Sequence, residues 1–391
     1  MKVLQIGEGW FPEEAGGLNR YYYDCAQYLP QAGVEVKGLV AGSSKVVDHS
    51  KGQVQAFAPT TVSLLQRWYG VRQATQKHLL RGDHAVIVSH FALYTFPCLN
   101  QLGHRPLVTH FHGPWALESQ MEGGNPMTTW AKKALEQATY RCTARFIVLS
   151  TTFREILHQA YHVPLERIHI IPGGTNIEHF DLSLSKVQAR LKLGWSLDNP
   201  IIFCVRRLAK RMGLENLIMA FQQVHEHYPN AMLYIAGKGP LASVLQSQIA
   251  SLKLTHHVKL LGYVPDEQLP IAYRAANFSI VPTIDLEGFG LIVVESLAAG
   301  TPVLGTPVGG IPSILQPFCP DLLLDGYTPN QLAQGMIEAL TGKRQLPNQE
   351  ACQAYVQKHY AWSAIAKRIK SVYQLAIDEK KTSTTPVNLT V

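Results

Sequence analysis

The stretch that decides the fold runs from residue 278 to residue 310 and reads FSIVPTIDLEGFGLIVVESLAAGTPVLGTPVGG. A short apolar run, Phe278–Val281, ends at a proline, and a glycine-rich loop follows. An amphipathic helix is predicted over Leu291–Ala299, and a second apolar run, Pro302–Leu304, comes directly after it. Strands that are apolar throughout and alternate with helices predict a parallel sheet with helices on both faces.

The same alternation fills the rest of the chain. Further strands are predicted at Val3–Ile6, Val34–Val40, Ala85–Ser89, Leu107–His110, Phe146–Leu149, Ile201–Val205, Met232–Ala236, Val258–Leu260 and Leu322–Leu324. Further helices are predicted at Leu18–Leu29, Met127–Cys142 and Leu214–His227. Two such series predict an α/β protein with two Rossmann-like domains.

A segment punctuated by Ser, Gly and Pro separates the two series. We therefore predict an N-terminal domain over 1–182 and a C-terminal domain over 183–361. A last helix, Trp362–Ile377 within the segment 362–380, follows the second series, and the residues from Lys380 onward are polar and expected to fray. A length of 391 residues agrees with two domains, because single cores stop growing near about 250–300 residues.

Composition narrows the functional classes. The formal net charge is +7, which favours a phosphorylated ligand or an anionic membrane surface as partner. Nucleic acid is disfavoured, since the chain has no zinc-ligand spacing, RNA-binding aromatic motif or basic tail. The six cysteines lie far apart without a C-x-x-C pair, and no signal peptide or membrane span is evident. We therefore expect a cytoplasmic protein.

The loop after Phe278–Val281 carries the chemistry. Glu287 lies where open α/β sheets bind ligands, at the carboxyl edge. Gly288, Phe289 and Gly290 lead into the helix that begins near Leu291, and free N–H groups at a glycine-rich helix N-terminus suit a diphosphate. Glu295 falls on an apolar part of that helix, where a carboxylate needs a partner such as sugar hydroxyls.

This constellation resembles the retaining glycosyltransferases of family 4. The resemblance covers most of the chain and rests on shared segments: Glu287-x7-Glu295, Gly300-Thr-Pro-Val, Gly309-Gly310, Arg206-Arg207-Leu208, Ala236-Gly-Lys-Gly239, Leu261-Gly-Tyr-Val264, Gly16-Gly17, His110-Phe-His112-Gly113 and Pro172-Gly-Gly174. It implies the GT-B fold, in which two Rossmann-like domains face each other across a cleft that holds the active site.

The resemblance also implies an activity. A hexosyl unit would move from a nucleotide diphosphate sugar to an acceptor hydroxyl with retention, in polysaccharide or glycolipid assembly, and the acceptor would be a saccharide or a lipid-linked sugar. Glu295 would bind the nucleotide ribose and Glu287 the donor sugar, with His112 near the reacting carbon. The implied donor-binding residues also include Gly16, Gly17, Gly237, Gly262, Tyr263, Val264, Gly288, Phe289, Gly290 and Leu291.

The cations that would bind the diphosphate depart from the family pattern. Arg207 matches the family arginine, but Met212 stands where the family has a lysine. Arg211 and Lys210 precede it, and either could replace the lysine; we favour Arg211, because it is one residue from that position. A second departure is Ser313, where the family often has glutamate.

No metal or cofactor is expected, because the chain has no D-x-D triplet and no H-E-x-x-H spacing. His110 is expected to be structural. Two basic stretches, Leu64–Arg81 and Trp130–Arg154, fit either peripheral contact with the anionic inner face of a membrane or ordinary solvated helices.

Two other functions remain open at the level of sequence. One is a sugar-nucleotide epimerase of the same fold, which the paired glutamates disfavour. The other is a non-catalytic partner subunit, which Met212 favours. Transfer of sugar, epimerisation of the donor, and absence of any donor turnover would separate the three functions.

Overall fold

The computed structural model describes residues 1–384, and the side chains as far as residue 382. The twelve strands in this range are β1 (Lys2–Ile6), β2 (Glu35–Ala41), β3 (Val54–Ala58), β4 (Val86–Ser89), β5 (Leu107–Phe111), β6 (Thr143–Val148), β7 (Ile168–Ile170), β8 (Ile201–Val205), β9 (Met232–Ala236), β10 (Val258–Gly262), β11 (Phe278–Val281) and β12 (Val303–Gly305).

The helices of the described residues are α1 (Gly17–Tyr28), α2 (Lys45–His49), α3 (Leu64–Arg81), α4 (Ala92–Thr95), α5 (Trp115–Met121), α6 (Pro126–Arg141), α7 (Thr151–Tyr161), α8 (Ile177–Phe180), α9 (Lys186–Leu193), α10 (Leu214–His227), α11 (Ala242–Ser251), α12 (Leu269–Ala275), α13 (Leu291–Ala298), α14 (Ile311–Leu315), α15 (Pro329–Thr341), α16 (Gln349–Tyr360) and α17 (Trp362–Thr384). Single 3-10 turns supplement them.

The chain divides into two compact units. Unit 1 contains Met1–Gly174 and the C-terminal helix that begins at Trp362, and unit 2 contains Thr175–Ala361. The division after Gly174 precedes the domain boundary predicted after residue 182, so that α8 belongs to unit 2. Helix α17 continues to Thr384, beyond the predicted end at Ile377, and the rest of the tail lies outside the described residues.

Unit 1 is built on a seven-stranded parallel sheet in the order β3-β2-β1-β4-β5-β6-β7. Helices α3, α6 and α7 cover one face, where apolar side chains of alternate strand residues form the core. Helices α1 and α17 meet the other face, since Tyr21 and Tyr373 both contact His110 of β5. The sheet is thus covered on both sides, as its apolar strands predict.

Unit 2 has a five-stranded parallel sheet in the order β10-β9-β8-β11-β12. Strands β8, β9 and β11 have the predicted bounds, and each is almost fully buried. Because all five strands are parallel, the loops that follow them emerge at a single edge of the sheet. That edge is where the predicted site residues of this unit lie.

The α/β class and the parallel sheets are confirmed, but three strand predictions need correction. Strands β3 and β7 were not predicted, because neither contains a long apolar run. Strand β3 (Val54–Ala58) is only partly buried, and β7 (Ile168–Ile170) has only three residues. Leu322–Leu324 is not a strand; Leu323 forms one isolated bridge to Gly305. Within the described part of the chain, no helix is long and apolar enough to cross a bilayer.

Candidate active site

The predicted donor-binding residues of unit 2 lie on the loops after its parallel strands. Arg207, Lys210 and Arg211 follow β8, Gly237 follows β9, and Gly262–Val264 ends and follows β10. Glu287 and Gly288–Gly290 follow β11 and lead into α13. The parallel topology therefore brings these segments together at one edge, as the sequence predicted.

Glycines let these loop backbones touch. Gly213 adopts a φ of +72°, and a Cβ there would collide with the carbonyl oxygen of Pro282. Gly309 adopts a φ of +59°, and a Cβ there would collide with the carbonyl oxygen of Glu287. The amide of Gly310 donates to that same carbonyl at 2.9 Å. Side chains are excluded at both contacts, which holds the Glu287 loop close to the loops after β8 and β12.

Glu287 is bound by a buried cation that the sequence did not single out. The guanidinium of Arg206 donates to Glu287 Oε2 and to Thr283 Oγ1, and only 8% and 12% of the Arg206 and Glu287 side-chain surfaces are exposed. Burial acts to raise the pKa of Glu287, but the charge and hydrogen bond of Arg206, with Arg211 nearby, hold it below its ordinary value. Glu287 is therefore a carboxylate at neutral pH.

The four residues around the missing family lysine differ in placement. Met212 is buried, so it occupies a packing position. Arg211 is half-buried; it donates to the carbonyl of Leu286 at 2.9 Å and its charge acts on Glu287. Arg207 and Lys210 are exposed at the same edge. Of the two candidates for the second cation, Arg211 is thus the one that contacts the loop of Glu287.

Glu295 has a protein partner that the sequence did not indicate. It lies on α13 with 9% of its surface exposed, and the hydroxyl of Tyr273 forms a hydrogen bond to its carboxylate. Tyr273 is buried on α12, and the same hydroxyl lies 3.4 Å from the carbonyl oxygen of Ile292. The carboxylate keeps a small exposed area, and Tyr273 orients it.

The first turn of α13 has N–H groups that the helix itself does not use. Helix α13 starts at Leu291 after Gly290, which has no side chain to cap the helix. Phe289 is buried and its ring lies 5.7 Å from that of Tyr360, which anchors the loop. Gly262 accepts a 2.7 Å hydrogen bond from the amide of Gly237, and the following Tyr263 is largely exposed. An uncapped helix start beside cationic side chains suits an anionic group.

In unit 1 the predicted residues also lie at strand ends. Helix α1 begins at Gly17 with Gly16 as an uncapped N-terminal residue, and open space surrounds both glycines. His112 follows β5, is half-buried, and its Nε2 lies 3.2 Å from Nδ1 of His90. His90 follows β4, the neighbouring strand, and was not predicted; a histidine directly after an adjacent strand is the signal that could have found it.

His110 is buried, and both of its ring nitrogens lie within hydrogen-bond distance of a tyrosine hydroxyl. Its Nδ1 lies 3.2 Å from the hydroxyl of Tyr21 and its Nε2 lies 2.8 Å from the hydroxyl of Tyr373. These contacts support the structural role expected for it. Burial lowers the pKa of His112 to about 3 and the pKa values of His90 and His110 well below their ordinary range. All three rings are therefore neutral at pH 7.

The three histidines are the one group among the described residues whose ring nitrogens lie close enough to share a metal ion. Their ring planes are nearly parallel, at 16–17° to one another, and the rings of His90 and His110 stack with centroids 4.4 Å apart. Nδ1 of His90 and Nε2 of His112 lie within hydrogen-bond distance of each other, and the two nitrogens of His110 face the hydroxyls of Tyr21 and Tyr373. Both nitrogens of His110 therefore have partners within the protein.

Comparisons with known proteins identify the family of this chain. A family model described as Glycosyltransferase Family 4 matches residues 15–179, and one described as Glycosyl transferases group 1 matches residues 186–362. The chain belongs to glycosyltransferase family 4. The resemblance inferred from the glutamate pair is confirmed, and the protein is a glycosyltransferase of the GT-B type.

Three individual proteins illustrate the relationship. The D-inositol 3-phosphate glycosyltransferase of Thermobispora bispora is 29% identical to this glycosyltransferase over 416 residues, covering 96% of this chain and 93% of that protein. An uncharacterized glycosyltransferase of Methanocaldococcus jannaschii is 30% identical over 254 residues, 63% of this chain and 64% of that protein. The structure of sucrose-phosphate synthase from Thermosynechococcus elongatus matches with a TM-score of 0.80 at 22% identity, over 97% of this chain and 99% of that one.

The Arg206–Glu287 pair predicts a strongly coupled double mutant. Glu287→Leu leaves a buried cation without its counter-charge and is expected to lower the free energy of unfolding by about 3–5 kcal/mol. Adding Arg206→Met removes that cation, and the double variant is expected to regain most of the loss. Denaturant titration of both single variants and the double variant measures the coupling.

The control is Glu155→Leu, which breaks the exposed pair with Arg154 and should lower the free energy of unfolding by about 0–1 kcal/mol. A double variant as unstable as the sum of the singles would contradict the assignment.

The histidine stack predicts a loss of stability in acid. The ordinary histidine pKa is about 6.5, and burial holds the folded values lower, so the unfolded chain binds protons first as the pH falls. The contribution of the neutral histidines to the free energy of unfolding is fully present above pH 6.5 and is lost as the pH falls below that value. Each buried histidine lowers the free energy of unfolding by about 1.4 kcal/mol per pH unit, and for His112 the loss continues down to about pH 3. Denaturant titrations at pH 7, 6 and 5 measure the slope. His90→Gln should reduce it, whereas the control substitution of exposed His104→Gln should not; an unchanged slope in His90→Gln refutes the idea.

Proposed function

We propose that this glycosyltransferase moves a hexosyl unit from a nucleotide diphosphate sugar to an acceptor hydroxyl, with retention of the anomeric configuration. The observation that carries the proposal is the set of groups at the carboxyl edge of unit 2. Two carboxylates, Glu287 and Glu295, lie beside the uncapped start of α13 and the half-buried Arg211. Carboxylates accept hydrogen bonds from sugar hydroxyls, whereas cations and helix starts bind phosphates.

The proposed chemistry breaks the bond between the anomeric carbon and the oxygen of the distal phosphate. A new bond forms from that carbon to the acceptor oxygen, and the hydroxyl proton leaves with the departing phosphate oxygen. The charge that develops on the diphosphate needs stabilisation in the transition state. Arg207, Arg211 and the N–H groups of α13 are assigned to it, while Glu287 binds the sugar and Glu295 the ribose. No protein nucleophile or metal ion is assigned, and no cofactor other than the donor substrate.

His112 is assigned to the sugar as a neutral hydrogen-bonding group. Because its pKa lies near 3, it does not supply a proton as an imidazolium at neutral pH. The bond between His90 and Nε2 of His112 fixes the ring and leaves Nδ1 for a ligand. Gly16 and Gly17, at the uncapped start of α1, are assigned to the donor phosphates as the family resemblance implies.

The acceptor is proposed to be a saccharide or a lipid-linked sugar, in polysaccharide or glycolipid assembly. The relative from Thermobispora bispora is named for D-inositol 3-phosphate, a phosphorylated polyol, which makes a polyhydroxylated acceptor the reasonable first test. We propose a cytoplasmic location for the reaction, with peripheral contact at the inner face of the membrane. Met212 no longer favours a non-catalytic partner, because Arg211 provides a cation beside Glu287.

Nucleotide binding tests the donor assignment. A thermal-shift panel of UDP, GDP, ADP and CMP, with excess EDTA throughout, is expected to identify one nucleotide that raises the melting temperature. Glu295→Ala should then weaken its binding about 10- to 100-fold, because a charge-assisted contact to the ribose is lost, and Glu287→Ala should weaken it less. Tyr273→Phe is the matched control, since it removes the internal partner and leaves the carboxylate.

Calorimetry on the free nucleoside diphosphate supplies the affinities. Equal affinities for the wild-type protein and Glu295→Ala would refute the ribose assignment. Sugar transfer in EDTA is expected to match transfer without it, and a rate that only magnesium or manganese restores would make the reaction metal-dependent.

Arg211 is expected to act as the second cation. Since it meets charge that develops as the diphosphate departs, Arg211→Ala should lower kcat by about 10²-fold with a smaller change in KM. Lys210→Ala, at an exposed neighbouring position, is the matched control and should change kcat little. Steady-state kinetics on both variants, each checked for folding, decides between them. If Lys210→Ala is the impaired variant, or if neither is, the assignment of Arg211 is wrong.

A further inference from the structure

One face of the unit 1 sheet carries an outer layer with an unusual surface. Helices α3 and α6 belong to this layer, and both pack against the segment 92–101 that contains α4. Leu107 of β5 lies in the core under α3 and Phe111 of the same strand lies in the core under α6. Residues four apart on a strand point to the same side. Helices α3 and α6 therefore cover the same face of the sheet, and their outer sides point away from it. We call these two outer sides together the α3–α6 surface.

Large apolar side chains are exposed on both helices. On α3, Leu65, Tyr69 and Leu80 are 75%, 65% and 80% exposed, and their spacing places them along a single side of the helix. On α6, Met127 and Trp130 are 75% and 71% exposed, with Ala131 and Ala134 continuing the stripe. Such residues are normally buried, and their concentration on one surface is typical of a docking site.

The charges on this surface have one sign. The segments 64–81, 92–101 and 126–141 contain seven basic residues: Arg67, Arg72, Lys77, Arg81, Lys132, Lys133 and Arg141. Their one acidic residue, Glu136, is buried and accepts hydrogen bonds from Tyr161 and the amide of Ala116. The nearest acids along the chain are Asp83, which follows α3 by two residues and pairs with Lys2, and Glu118 and Glu122, which lie on α5 and directly after it. Helix α5 packs beside α6.

The hydrogen-bond partners of these cations are neutral. Arg67 donates to the hydroxyl of Tyr94, Arg72 donates to Asn100, and Lys132 donates to Ser119. Among the described residues, none of the seven cations forms an ion pair with a carboxylate. Their charge is therefore not compensated within the protein, and it is available to an anionic partner.

We propose that the α3–α6 surface docks on an anionic lipid bilayer. Tyr69 and Trp130 suit the interface between headgroups and acyl chains, Leu65, Leu80 and Met127 enter the apolar boundary, and the cations meet lipid phosphates. A second copy of the chain fits less well, because a symmetric contact would place this cationic surface against itself. This inference concerns a surface apart from the donor-binding residues, and does not rest on the proposed transfer reaction.

Vesicle sedimentation without donor or acceptor tests the proposal. The full chain is mixed with vesicles of phosphatidylcholine alone, or of phosphatidylcholine with about a third phosphatidylglycerol. We expect binding to the anionic vesicles and little to the neutral ones. Lys77→Gln with Arg81→Gln should lower the partition coefficient by more than about tenfold, since each cation near an anionic surface contributes about fivefold. Met127→Ser with Trp130→Ser should lower it as well.

Matched controls separate lipid docking from other causes. Val187 and Leu191, on α9 of unit 2, are exposed to 53% and 63%, and Val187→Ser with Leu191→Ser should leave vesicle binding unchanged. Circular dichroism checks that each variant folds. A blue shift of tryptophan fluorescence on anionic vesicles should disappear in Trp130→Phe.

The outcomes divide clearly. Equal binding to neutral and anionic vesicles, no binding at all, or binding that survives both pairs of substitutions would overturn the proposal. A dimer in solution that the Met127 and Trp130 substitutions disperse would also overturn it, and would assign the surface to a second copy of the chain. None of these results depends on whether the protein transfers sugar.

Discussion

The site of unit 2 depends on the close approach of loop backbones at the carboxyl edge of its parallel sheet. Five parallel strands bring their loops to one edge, but the loops touch only where side chains are absent. Gly213 meets Pro282, and Gly309 meets Glu287, at distances that a Cβ would not permit. The positions of Glu287, Arg211 and the start of α13 all follow from these contacts, because each lies within a few residues of one.

Close packing at this edge also creates an electrostatic problem, since it takes Glu287 out of water. Arg206, which directly follows the neighbouring strand β8, supplies the counter-charge and a hydrogen bond to Glu287. A buried ion pair contributes little net stability, but removal of either partner is costly. The pair therefore keeps the carboxylate charged and in place, which is the state that can accept hydrogen bonds from a sugar. Tyr273 serves Glu295 in a similar way with a neutral donor.

Unit 1 uses a different arrangement at its strand ends. There a cluster of neutral polar groups forms from three stacked histidines, with His110 held by tyrosines from α1 and α17. Burial keeps the rings uncharged, and each ring orients the next. Since α17 is the last helix of the described residues, a segment late in the chain stabilises a residue stack near the middle of the sequence of unit 1. That contact gives a physical reason for the return of the chain to this unit after residue 361.

The sequence by itself determined the α/β class, the two parallel sheets, the family, and the segments that gather at the strand ends. These follow from apolar runs and glycine positions, which are local properties of the chain. Only the tertiary structure decided the partners: Arg206 for Glu287, Tyr273 for Glu295 and His90 for His112. Each partner lies at least 22 residues away along the chain. Which side chain meets a buried charge depends on packing between strands and helices, and neither periodicity nor motif spacing records that.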